Sequence, residues 1–159
     1  MTTPADTLHS LYDAFGRRDG DAMAECYAPD ATFEDPVFTL SGRDVGDMWR
    51  MLTSRGEGDL RLAYELIDDD QVAWVADYGF GGHPVHNEIR STFTFARDGR
   101  IATQVDRFDF PHWAGQALGW KGKLLGRFRF FHAAVRKSTA QILAGWQRRR
   151  DEGADTPAP

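Results

Sequence analysis

The feature that most constrains this chain is a change of hydrophobic period partway along it. Near the start, apolar residues recur at spacings of three and four: Leu8, Leu11, Tyr12 and Phe15 mark one face of a helix over residues 5–18. Thr3 or Asp6 is placed to cap its start, and Arg17-Arg18-Asp19-Gly20 breaks it. Asp21 can cap a second helix carrying Ala22, Met23, Cys26 and Tyr27, which Pro29-Asp30 ends before a short strand opens at Thr32–Phe33. A third helix is expected over Arg43–Leu52, with Val45, Met48, Trp49 and Leu52 facing inward. From residue 60 onward the period is two. Leu60–Ile67, Gln71–Phe80, Val85–Ala96 and Ile101–Phe110 read as strands, joined by turns at Asp68-Asp69-Asp70, Gly81-Gly82-His83-Pro84 and Asp98-Gly99. Three helices interleaved with a short strand, then four long antiparallel strands, specify an α+β domain whose helices cover one face of a curved sheet.

A chain of 159 residues suits one domain with one core. Eleven Phe, five Trp and four Tyr favour a deep apolar interior or cavity. One cysteine excludes an intrachain disulfide framework and any Cys-based zinc cluster. No apolar run approaches the roughly 20 residues of a membrane span, and the N-terminus lacks the basic and apolar regions of a signal peptide, so a soluble cytoplasmic protein is expected.

The net charge of -5 conceals a segregation. Residues 1–109 hold 21 acids against 10 Lys or Arg, whereas residues 110–150 hold nine Lys or Arg and no acid. Packing of this basic segment across the acidic body, or across that of a second subunit, is the favoured reading, because opposite charges in one chain complement each other. Contact of residues 120–150 with a membrane surface is the lesser alternative, and no nucleic-acid partner is expected. Residues 111–150 return to a helical pattern, with Leu124, Phe128, Phe131, Val135, Ile142 and Trp146 as an apolar stripe. The expected organisation is a domain over 1–113, an amphipathic helical extension of the same domain over 114–150, and a disordered tail over 151–159.

Candidate chemistry centres on carboxylates. In Tyr27–Phe38, Pro36 fixes its own φ and holds Asp35 extended at the end of a short strand, which suits either a pocket carboxylate or a turn cap. Asp106, in Val105-Asp106-Arg107-Phe108-Asp109, is an inward-facing carboxylate on a long strand, and Asp77 is a third candidate. Asp109 falls on the other face from Asp106, where it can cap a turn at Phe110–Trp113. Asn87 shares the apolar face of its strand with Ile89 and Ser91 and can hydrogen-bond a ligand. Trp49 suits core or pocket wall. His86 and Glu88 have a spacing that could hold a metal, but no third ligand accompanies them, and no metal is expected.

This organisation resembles the nuclear-transport-factor-2-like superfamily, the cone-shaped α+β fold of ketosteroid isomerases, SnoaL-type polyketide cyclases and limonene-epoxide hydrolases. The resemblance runs from about Leu8 to Trp113. It is carried by Tyr27–Val37, the Gly42-Arg43 turn into the third helix, and Phe95–Asp109, and it is strongest to SnoaL-like or ketosteroid-isomerase-related proteins with an added basic helical segment. As an isomerase, the resemblance implies Asp35 of Glu34-Asp35-Pro36 as general base and Tyr12 as a donor, with Ser91 where the family has a second, protonated aspartate. As an epoxide hydrolase, it implies Asp106 as the water-activating group and Asp77 as the acid, with Val75 in place of the bridging arginine. As a cyclase, it implies Asp106 as the acid–base group, with Asp35 second. The resulting expectation is a cofactor-independent acid–base protein for an apolar polycyclic or terpenoid-like carbonyl or epoxide compound. Asp35, Asp106 and Asp77 are its catalytic candidates; Tyr12, Trp49, Asn87, Ser91 and Phe108 are its ligand contacts. The alternative is a non-catalytic ligand-binding or dimerisation module, and the resemblance implies a homodimer formed through the open sheet face.

Overall fold

The computed structural model describes residues 2–55 and 57–154. In chain order the elements are α1 (Pro4–Gly16), α2 (Gly20–Glu25), β1 (Tyr27–Glu34), β2 (Thr39–Ser41), α3 (Arg43–Ser54), β3 (Glu57–Asp68), β4 (Gln71–Phe80), β5 (His83–Phe95), β6 (Ile101–Arg107), α4 (Phe110–Ala117), α5 (Gly119–Leu125) and α6 (Arg129–Ala154). One six-stranded sheet has the order β2-β1-β6-β5-β4-β3. It is curved and unclosed, mostly antiparallel, with helices over its concave face: the α+β architecture that the change of period specifies.

Local chemistry sets the first elements. Thr3 caps α1 in a capping box: its side chain accepts from the Asp6 N–H, and Asp6 accepts from the Thr3 N–H, with Pro4 in the first turn. Leu8, Leu11 and Tyr12 share one buried core with Met23, Val45, Met48 and Met51 of α2 and α3 and with Val72, Trp74, Ile89 and Phe93 of the sheet. The cap of α2 is Asp19, not Asp21, because the Asp19 side chain accepts from the Ala22 N–H two residues earlier than anticipated. In α3 the inward set is Val45, Met48, Trp49 and Met51; Leu52 is 38% exposed at the rim of the pocket described below.

Strand β1 begins at Tyr27, five residues before the strand expected at Thr32. It pairs parallel with β6, Phe33 opposite Gln104 and Glu34 opposite Val105, and antiparallel with the short β2. The strand opens at Tyr27 because Ile101 of the distant β6 pairs with it, a partner that local propensity does not register, and the register shifts before pairing resumes at Thr32. This pairing delivers Asp35 beside the C-terminal end of β6, next to Asp106.

The C-terminal segment is three helices. Gly119 opens α5 at φ +64°, and a turn at Gly126–Phe128 separates α5 from α6. These breaks divide the anticipated stripe: Phe131, Val135 and Trp146 are half-buried and Leu143 is buried, but Leu124 and Phe128 are exposed. Helix α6 continues through Ala154, so residues 151–154 are helical where a disordered tail was expected; the rest of that tail, 155–159, lies outside the described residues.

Helix α6 docks through charge and hydrogen bonds. The buried Asp47 carboxylate of α3 accepts from Arg43 Nε at 2.8 Å, Arg50 Nη1 at 3.2 Å, Gln147 Nε2 at 3.0 Å and Arg150 Nη1 at 2.9 Å. Further along, Arg136 donates to the Asp35 carbonyl at 2.6 Å, the Pro36 carbonyl at 3.1 Å and Thr39 Oγ1 at 2.8 Å, and Thr139 donates to the Val37 carbonyl at 2.9 Å. Part of the basic segment thus packs across the acidic body.

Candidate functional site

Between the concave face of the sheet, α3 and α6 lies a pocket of about 530 Å³. Its wall is aromatic: Phe33, Trp49, Trp74, Tyr78, Phe108 and Trp113 all contribute. Asp35, Asn87 and Asp106 bring polar groups to it, and Thr139 and Ile142 of α6 close one side.

Asp106 is placed by the period of β6, which buries Gln104 and Asp106 on one face and turns Arg107 outward. Ser91 sits directly across the ladder on β5, and its hydroxyl donates to Asp106 Oδ1 at 2.5 Å. Gln104 Nε2 donates to the same oxygen at 2.8 Å. Each partner is itself held. Ser91 Oγ accepts from Trp74 Nε1 at 2.8 Å and from the Tyr12 hydroxyl at 3.3 Å. Gln104 Oε1 accepts from the Tyr27 hydroxyl at 2.5 Å, and Tyr27 accepts from Trp49 Nε1 at 2.8 Å. The two donors that reach Asp106, Ser91 Oγ and Gln104 Nε2, both bind Oδ1. Oδ2 accepts from no described residue, yet no buried side-chain oxygen among them lacks a partner, so Oδ2 opens onto the pocket. The carboxyl is therefore fixed in orientation with one oxygen offered to whatever enters.

Burial pushes the Asp106 carboxyl up to about 7, opposed by the hydrogen bonds from Ser91 and Gln104 and assisted by the nearby Asp35 charge. Asp35 is half-buried in the loop after β1. Its Oδ1 accepts from the Val37 N–H at 2.6 Å and the Phe38 N–H at 2.5 Å, a local turn that fixes the side chain. Burial pushes it up to about 6; the two backbone donors and the Arg136 charge pull the other way, and Glu34 adds to the rise. Asp35 is thus both a turn cap and a pocket-lining carboxylate.

Asn87 is buried on the pocket wall, and its side-chain amide hydrogen-bonds no described residue, so it too faces the open volume. Trp49 and Phe108 line the pocket. Tyr12 and Ser91 do not: both stand behind Asp106, and their hydroxyls are spent holding it. Burial carries the Tyr12 hydroxyl well above its ordinary range, with the Asp106 charge adding to the effect, so it stays protonated.

Asp77 is on the wrong face. The β4–β5 register pairs it with His86 on the outer surface, where His86 Nδ1 lies 2.6 Å from its carboxylate and both side chains are about half exposed. The inward residues of β4 are Trp74, Ala76 and Tyr78, and a strand cannot turn two consecutive side chains to the same side. Of the three carboxylates read from the sequence, two meet at one pocket and the third does not. His86 also contacts Glu88 at 3.5 Å, and these carboxylates raise its pKa, the Asp77 hydrogen bond foremost.

Four contributors escape the sequence reading. Gln104 lies two residues before Asp106, so strict alternation along β6 would have found it. Tyr27 is hidden by its assignment to a helix. Trp74 and Tyr78 follow from the period of β4; Tyr78 lines the pocket and accepts from Trp113 Nε1 at 2.9 Å.

The model of the SnoaL-like domain matches residues 8–104. No curated protein matches the sequence. Among solved structures, an LEH-like epoxide hydrolase from M. tuberculosis is 20% identical, with 77% of this chain and 90% of that one covered at a TM-score of 0.57. The epoxide hydrolase/cyclase-like enzyme SalBIII, of pyran ring formation in the polyether salinomycin, is 18% identical over 69% of this chain and 92% of its own, TM-score 0.56. A computationally designed 17-OHP binder is 16% identical over 70% and 95%, TM-score 0.56. At these identities the likeness establishes the shared fold.

Proposed function

The chain belongs to the SnoaL-like domain family, and from that premise we propose that it is an acid–base enzyme acting on an apolar carbonyl or epoxide compound of polycyclic or terpenoid type. The observation that carries this reading is Asp106: a buried carboxyl with a pKa near neutrality, one oxygen locked by two donors and the other open to an aromatic pocket. A volume of about 530 Å³ suits a fused-ring ligand. In the proposed chemistry Asp106 holds its proton near neutral pH and delivers it from Oδ2 to the substrate oxygen. Asp35, which ionises lower, takes a proton from the carbon acid or the attacking nucleophile. The Asn87 amide and the Tyr78 hydroxyl orient the substrate's polar end. Ser91, Gln104 and Tyr12 are positioning residues that act through Asp106. The epoxide-hydrolase triad does not transfer as such, since Asp77 faces outward and Val75 replaces the arginine.

A panel of apolar ketones, enones and epoxides tests this, with turnover followed by mass spectrometry and binding by thermal shift. Asp106→Asn should still bind, its amide oxygen accepting from Ser91 and Gln104, while turnover falls by about a hundredfold or more. Turnover at the wild-type rate would remove Asp106 from the mechanism. A second reading has its own support. The Ser91 hydroxyl donates to Asp106 and the Tyr12 hydroxyl to Ser91, so neither reaches the pocket to hold an oxyanion, and the fold also carries a designed 17-OHP binder. As a ligand carrier, the protein would bind members of the panel without turnover and be indifferent to loss of Asp35 or Asp106.

A further inference from the structure

The corner between α5 and α6 presents a different surface. Trp120 is 71% exposed, Leu124 63%, Phe128 51% and Phe130 64%, the largest exposures of large hydrophobic side chains among the described residues. Trp120 and Leu124 stand four apart on α5 and share a side of it, while the rings of Phe128 and Phe130 stack with centroids 5.6 Å apart. Lys121, Lys123, Arg127 and Arg129 alternate with them, all exposed, and none pairs with a carboxylate of a described residue. The basic residues of this corner therefore differ from Arg136 and Arg150, which the body neutralises or binds.

The surface is held in place. At Gly122 a Cβ would fall 1.8 Å from the Ala114 carbonyl oxygen, so α5 lies directly on α4 through its glycine face. That contact turns Trp120 and Leu124 away from the body. Burying them inward would require α5 to roll off α4.

We infer that this corner docks on an anionic lipid surface, the aromatic and leucine side chains entering the interface while the four cations meet headgroup phosphates. Charge complementarity selects this occupant: residues 120–130 carry four Lys or Arg and no acid. A second copy of the chain fits poorly, because a two-fold contact centred here would set like charges against each other. Nucleic acid would stack on the rings but leave Leu124 without a partner.

The test is co-sedimentation of the full chain with vesicles of phosphatidylglycerol and phosphatidylcholine, or of phosphatidylcholine alone, at 50 and 300 mM salt. The expected result is binding to the anionic vesicles only, weakened at least about tenfold by the higher salt and by the double substitution Trp120→Ser, Phe130→Ser. Both side chains are exposed, so the double variant should keep the wild-type melting temperature. Absence of binding to anionic vesicles at low salt, or binding unaffected by the double substitution, would overturn the inference. So would a patch-dependent dimer in sedimentation velocity, or patch-dependent binding of single-stranded DNA, without vesicle binding. None of these outcomes bears on the chemistry of the pocket.

Discussion

At the residue scale, the site is a case of one carboxyl raised by burial and steered by its neighbours. Asp106 was legible as an inward acid on an alternating strand, and Asn87 as a polar residue on an apolar face. What alternation cannot show is which oxygen a donor occupies, and that detail separates a structural carboxylate from a reactive one. Asp77 shows the cost of a face assignment made without a partner strand. In β4, Trp74, Ala76 and Tyr78 are all apolar or aromatic and take the inside, so Asp77 belongs to the outside. The raised pKa of Asp106 has a consequence for stability. An unfolded aspartate ionises near its ordinary value of 3.8, whereas the folded group ionises near 7. Its contribution is therefore complete below about pH 4 and is lost as pH rises through 7. Asp35, pushed up to about 6, acts in the same direction. Urea unfolding at pH 5 and pH 8 should show the wild type losing stability on the order of a few kcal/mol across that interval, and Asp106→Asn should lose much less. An equal pH slope in the two proteins would mean that Asp106 ionises normally in the fold.

At the element scale, strands with a clear period of two were placed closely, β4 to the residue. The elements missed or cut short are those that depend on distant partners. Strand β1 exists as a full strand because β6 pairs with it in parallel, and β2 because β1 pairs with it in turn. Neither leaves a local period. The division of the C-terminal segment turns on Gly119 and Gly126, which an apolar stripe read at helical spacing passes over. Helix α6 in turn does more than cover the core. Arg136 fastens the loop that carries Asp35, and Thr139 and Ile142 form pocket wall. Arg136→Ala should cost about 1–3 kcal/mol in urea unfolding, as the loop carbonyls lose their donors. It also removes a positive charge that holds the Asp35 pKa down, so the acid limb of the pH–rate profile should move to higher pH. An unmoved limb with reduced stability would leave Arg136 a purely structural clasp.

At the scale of the whole molecule, the segregation of charge along the chain becomes a division of labour along the C-terminal helices. One part of the basic segment is absorbed by the acidic body, with Arg150 at Asp47 and Arg136 at the Asp35 loop. The other part, around Trp120 to Phe130, faces outward. The sequence supplied the sum of these charges but not their apportionment, which depends on where α5 meets α4. The fold class was legible because the change of period survives any error in element boundaries. The site was half legible, because Asp35 follows a strand that only a parallel pairing, which no spacing records, brings beside the strand of Asp106. The central claim is that this architecture raises the Asp106 carboxyl to neutrality and leaves it open to the pocket. Carboxyl-carbon NMR titration of the intact protein, with Asp106 assigned through Asp106→Asn, measures that directly. The account predicts a midpoint near 7, lowered in Asp35→Asn, which lacks the neighbouring charge. A midpoint near 3.8, unchanged by Asp35→Asn, would contradict it.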